Sequence, residues 1–135
     1  MQRYALSVPI WLGLCLATPG IAATDAPSTT FDGAYRGSMT LAPSGLNSAY
    51  TGPFCVTARP VAMVIRHGHV FLSYKDWHRH KIHYRGRVSV DGRVEAYHRN
   101  RDGSLSALTG SVSGDRLVAE MQRGKCDYRI ALTKR

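Results

Sequence analysis

Gly92, Gly103, Gly114 and Gly124 recur at intervals of ten or eleven residues through the second half of this 135-residue chain. Apolar and polar residues alternate between them, and no long stretch after Phe31 carries a helical period. Each interval has room for one strand and one tight turn, which is the pattern of a β-meander. A chain built this way buries one side of each strand and leaves the other in water.

The turns fix registers. Val90-Asp91-Gly92 fits a three-residue hairpin loop with glycine in the left-handed position. It sets Val88 opposite Val94, Gly86 opposite Ala96 and Tyr84 opposite His98, with Arg87 facing Glu95 and Arg85 facing Tyr97 on the other side. Glu95 is then the counter-charge of Arg87. Gly114-Asp115 fits a two-residue turn that aligns Val112 with Leu117, Gly110 with Ala119 and Leu108 with Met121. Arg66-His67-Gly68 looks like a further three-residue loop. In the last strand Cys126, Tyr128, Ile130 and Leu132 turn inward, while Asp127, Arg129, Ala131 and Thr133 turn outward. A one-residue slip would exchange these faces, so the pattern specifies the pairing.

The fold expected is all-β, an antiparallel up-and-down meander of about eight strands. They fall at 34–41, 54–66, 69–75, 82–89, 93–100, 104–112, 116–122 and 126–133, with a ninth if Pro60 splits 54–66 into 54–59 and 61–66. Such a meander forms a small barrel or a sandwich, since both manage exposed edges. Gly86, Ala96, Gly110 and Ala119 all face inward in these registers. That shelf of small residues accommodates Trp77, strand curvature or a small apolar ligand.

The other end of the chain bears on compartment. Met1-Gln-Arg3 is a short positive start, residues 4–17 are mostly apolar, and 18–23 are small. This is the layout of a signal peptide over 1–23, cut after Ala22 or Ala23. The apolar run is too short for a typical membrane span. A retained anchor and lipidation at Cys15 are the alternatives, and Leu14 stands where a lipoprotein site needs a small residue. Polar residues 24–30 form a flexible lead-in, and 31–135 a single β domain. Without its leader the chain keeps Cys55 and Cys126, an even pair that an oxidising compartment joins as a disulfide. Such a bridge ties an early strand to the last one. Periplasmic or extracellular residence follows.

Phe31-Asp32-Gly33-Ala34-Tyr35-Arg36-Gly37 opens the domain as F-D-G-x-Y-x-G, and residues 126–134 close it as C-x-Y-x-[IL]-x-L-x-[KR]. With the leader, the glycine-punctuated meander and one cysteine pair, the chain resembles a loose group of small exported bacterial β-proteins. The resemblance covers the mature chain in outline. It implies an all-β fold and export, and it carries over no catalytic residue.

Function must then come from the residues themselves. Removal of the leader, which carries Arg3, leaves a net charge of +8. A balance of that size speaks to partners rather than to fold. All six histidines lie between His67 and His98, and residues 75–87 hold five cations against Asp76 alone. Lys75, Arg79, Lys81, Arg85, Arg87 and Arg99 can grip phosphate or carboxylate, while Trp77, Tyr84 and Tyr97 can stack on sugars or bases. The expected activity is weak, non-catalytic binding of anionic envelope material through a basic, histidine-rich face. Anionic lipid, polysaccharide and nucleic acid are the possible partners. His67-x-His69 and His78-x-His80 form a second option, Zn²⁺ or Cu²⁺ binding, because residues two apart on a strand share a face. The remaining alternatives are the apolar ligand already named and a structural envelope module whose exposed first strand extends a partner's sheet. No cofactor is expected. No G-x-S-x-G, H-E-x-x-H or unpaired cysteine nucleophile points to a reaction.

Overall fold

The computed structural model describes residues 27–42, 55 and 57–135. The segment 1–23 read as a signal peptide, with Cys15, lies outside them. Eight strands follow in order: β1 (Gly33–Leu41), β2 (Ala58–Arg66), β3 (His69–Lys75), β4 (Lys81–Val88), β5 (Arg93–Arg99), β6 (Leu105–Ser113), β7 (Arg116–Arg123) and β8 (Cys126–Lys134). Each pairs antiparallel with the next, and β8 returns to β1, so the meander is a closed barrel rather than a sandwich. β1 is therefore paired on both sides, and the free first strand expected above does not exist.

The registers are those the turns predict. Val88 faces Val94, Gly86 faces Ala96, Arg87 faces Glu95 and Arg85 faces Tyr97. Val112 faces Leu117, Gly110 faces Ala119 and Leu108 faces Met121. Tyr84 and His98 stack just beyond the paired stretch, ring centroids 5.6 Å apart. Pro60 does not split β2. It pairs with Ser38 of β1, and the β2–β3 pairs begin only at Ala62, so its missing N–H faces no partner strand on that side. The strand itself starts at Ala58, later than expected, and Cys55 lies in a bend before it.

Inward positions hold the apolar residues. Tyr35, Met39, Met63, Tyr84, Leu108 and Leu117 are fully buried within one core. Apolar inside and polar outside is the reverse of a lipid-facing barrel. Among the described residues no helix is long and apolar enough to cross a membrane. The small-residue shelf leaves no room above it. A Cβ on Gly86 would overlap the Glu95 carbonyl and lie 2.5 Å from the Ala96 Cα, and one on Gly110 would lie 2.5 Å from the Ala119 Cβ. The facing backbones occupy the space. Trp77 does not fill the shelf, for it sits half-exposed in the β3–β4 turn.

Two long-range ties set the barrel ends. At the upper end, Cys55 and Cys126 form a disulfide, Cα atoms 5.7 Å apart, joining the β1–β2 connection to the first residue of β8. At the lower end, residues 27–32 cross the opening. The flexible lead-in expected over 24–30 is docked in its described part: Ser28 is buried and its N–H donates to the Val88 carbonyl at 3.0 Å. Asp32 accepts from the backbone N–H of His67 at 2.7 Å and of Gly68 at 3.0 Å. Those bonds stabilise a tighter turn than the sequence shows. Arg66 pairs with His69, leaving only His67 and Gly68 between, with φ of 52° and 73°. Positive φ at both central residues is the type I′ condition, and Gly68 meets it without steric cost.

The Gly68 amide, and then the His67 amide, hold the Asp32 carboxyl below its ordinary pKa. A depressed carboxylate contributes stability that is complete above the ordinary carboxylate range and is lost as pH falls through its folded value. We expect Asp32→Asn to be less stable than the parent at neutral pH and the gap to narrow in acid. Thermal melts of both proteins across pH 2 to 7 check this; a gap that does not change with pH would contradict it.

Candidate functional site

Alternation along three neighbouring strands builds one surface. The outward positions are His69, Phe71, Ser73 and Lys75 on β3, then Lys81, His83, Arg85 and Arg87 on β4, then Arg93, Glu95, Tyr97 and Arg99 on β5. Registry sets Lys75 directly against Lys81, and Arg85 between Phe71 and Tyr97. Thus Lys75, Lys81, Arg85, Arg87, Tyr97 and Arg99 share the outer face of β3, β4 and β5. Trp77 and Arg79 lie in the β3–β4 turn at the upper end of the same hairpin.

The face has little internal neutralisation. Among the described residues, none of Lys75, Arg79, Lys81, Arg85, Arg87 and Arg99 enters an ion pair. Glu95 stands opposite Arg87 but pairs with Arg93 of its own strand at 3.6 Å, so the expected cross-strand pair is not made. Asp76, the one acid of the dense stretch, is turned away. Its Oδ1 accepts from the His80 backbone N–H at 2.9 Å, and its Oδ2 lies 3.6 Å from Arg123, whose guanidinium also donates to the Tyr74 hydroxyl at 3.1 Å. Burial pushes the Tyr74 hydroxyl above its ordinary pKa, so it stays neutral there. Like charges directly opposite on adjacent strands destabilise a sheet, so the Lys75 and Lys81 pair carries a cost that no ion pair offsets among the described residues.

The histidines do not form one face. His67 and His69 sit at the lower end, His78 and His80 in the upper turn, and β3 holds the two pairs roughly 20 Å apart. His98 points inward against Tyr84, its Nδ1 2.9 Å from the His83 carbonyl oxygen. His78 accepts from the Trp77 indole N–H at 3.0 Å, and its ring lies 5.9 Å from that of His80. The two H-x-H pairs cannot converge on one ion. Among the described residues no group of three or more His, Cys, Asp or Glu is placed to hold a metal.

The sequence did not reveal a trough in this surface. Outward Ala62 of β2 pairs with Ser73, and Ser73 with His83, so two small side chains lie between larger ones. A groove of about 420 Å³ is floored by Ala62 and Ser73, walled by Arg36 and His83, and headed by Lys75 and Lys81. A second hollow of about 200 Å³ shares Ala62, Ser73 and His83 and continues past Val64 and Phe71 to Arg85. The outer surface of β6, β7 and β8 has a hollow as well, but Glu120 and Asp127 mix with Arg129 there. Alternation alone marks Ala62 and Ser73 as small outward residues; only the pairing of β2 with β3 makes them neighbours.

Compared with known proteins, the chain matches no protein-family model, no curated sequence and no solved structure. The geometry therefore carries the functional reading.

Proposed function

We propose that this protein is an exported, non-catalytic binding module whose β3–β5 face holds anionic envelope material through weak, salt-sensitive contacts. The observation that carries the reading is Lys75 set against Lys81 while Asp76 pairs with Arg123 and Glu95 with Arg93 rather than with either lysine. A bound phosphate or carboxylate relieves that repulsion, and Arg85 and Arg87 extend the same field along β4. The disulfide supports residence in an oxidising compartment. An apolar ligand has no such support, because the backbones fill the glycine and alanine shelf.

The test is a salt titration of binding to long-chain polyphosphate. Four engaged cations, each releasing about 0.7 counterion, lower the affinity by roughly 50-fold between about 50 and 200 mM salt. Replacing Lys75 and Lys81 by Ala reduces the log–log slope by about 1.4 on the same basis. Affinity that ignores salt, or that survives in the double variant with an unchanged slope, would sink the proposal.

A further inference from the structure

We infer that the trough crossing β2, β3 and β4 is the seat of a short acidic oligosaccharide, an inference that rests on the anion-binding reading above and gives it a substrate class. Three features of the trough carry it.

The first is the spacing of charge. Lys75 and Lys81 stand at the head and Arg85 at the foot, with Arg36 on one wall between them. Lys81 and Arg85 are four residues apart on β4, about 13 Å along an extended strand. A ligand bridging them carries anionic groups at intervals along its length rather than at one point.

The second is the lining between the poles. Pro60, Ala62 and Phe71 offer apolar surface, and the Ser73 hydroxyl and His83 ring offer hydrogen bonds beside it. A sugar ring presents the same mixture, C–H faces for the apolar floor and hydroxyls for Ser73 and His83. Single-stranded nucleic acid needs successive aromatic platforms for its bases. Here Phe71 stands at one end only, and the middle of the floor is Ala62 and Ser73.

The third is shape. The seat is a shallow, open furrow between Arg36 and His83 that runs on along the strands towards Arg85, a shape that suits a chain laid along it. Its combined volume lies in the range of small-molecule sites.

Ala62→Trp and Ser73→Tyr test this, because both fill the trough from exposed outward positions and leave every cation in place. The probe is tetragalacturonate, with polyphosphate, neutral maltotetraose, an oligo-dT strand and phosphatidylglycerol vesicles alongside. The wild-type protein is expected to bind tetragalacturonate and not maltotetraose. Each variant weakens tetragalacturonate at least about tenfold through lost contacts while changing polyphosphate affinity by less than about twofold. In the wild-type protein, backbone amide shifts on adding tetragalacturonate centre on Ala62, Ser73 and His83, a readout that does not depend on either variant folding. Tetragalacturonate binding that persists in both variants, shifts centred elsewhere, or stronger binding of oligo-dT or vesicles would overturn the inference. Failure of polyphosphate to bind the wild-type protein overturns the broader proposal instead, so the two can fail separately.

Discussion

Reduction of the Cys55–Cys126 bridge is expected to lower the unfolding free energy by about 4 kcal/mol, the loop-closure value for the span it encloses. The two cysteines are 71 residues apart in sequence. Joining them removes a large set of open conformations from the unfolded chain, and that is where most of the effect arises. The position of the bridge adds to its importance. The seam that closes the barrel is β1 against β8, with Tyr35 facing Lys134 at one end and Leu41 facing Tyr128 at the other. These are the strands furthest apart along the chain, so their pairing bears the highest closure entropy of any pair in the sheet. The bridge lies beside that seam, where the Leu41 N–H donates to the Thr57 carbonyl and the Ala42 N–H to the Asp127 carbonyl. Denaturant titrations of the oxidised protein, the reduced protein and a Cys55→Ala, Cys126→Ala variant measure the difference. Coincident midpoints would show that the seam holds without the bridge.

Gly86→Ala is expected to cost about 3 kcal/mol, at the upper end of what overpacking by one methyl usually costs. The methyl would collide with backbone, the Glu95 carbonyl and the Ala96 Cα, and backbone cannot swing aside as a side chain can. β4 and β5 would have to move apart where Gly86 faces Ala96. Gly103→Ala is the matched control. Nothing lies within 4 Å of its added carbon, but its φ is +86°, so only conformational strain of about 1 kcal/mol is expected. If Gly103→Ala proved the more damaging of the two, the close approach of the strands would not be what requires glycine at 86.

How far the sequence reaches can be seen from these same residues. The periods of ten and eleven gave the turns, the alternation gave the faces, and together they placed Gly86 against Ala96 correctly. Both signals are local, each contained within one hairpin. The β2–β3 turn is one residue shorter than its local sequence suggests because what tightens it is Asp32, thirty-five residues before His67. Ser28 is likewise held from afar, by the carbonyl of Val88, which no local signal marks. The basic face was legible because a period of two puts Lys81, Arg85 and Arg87 together without knowledge of any other strand. The trough was not, because it joins β1, β2, β3 and β4 sideways and no single segment contains it. The density of the histidines is no guide to their placement: neighbours in sequence, they are divided among both barrel ends, the outer wall and the half-buried position of His98 beside Tyr84.

A ring of strands with no beginning or end has a consequence for how such a protein can acquire partners. Among the described residues every strand pairs with two neighbours along most or part of its length, and no strand is a free edge. Little main chain is left for another protein's strand, or a second copy of this one, to extend. Selectivity then falls mainly to the side chains that point into water. Those positions can be rewritten over evolutionary time with little disturbance to the interior, so one stable frame can be turned toward new molecules while its folding stays the same.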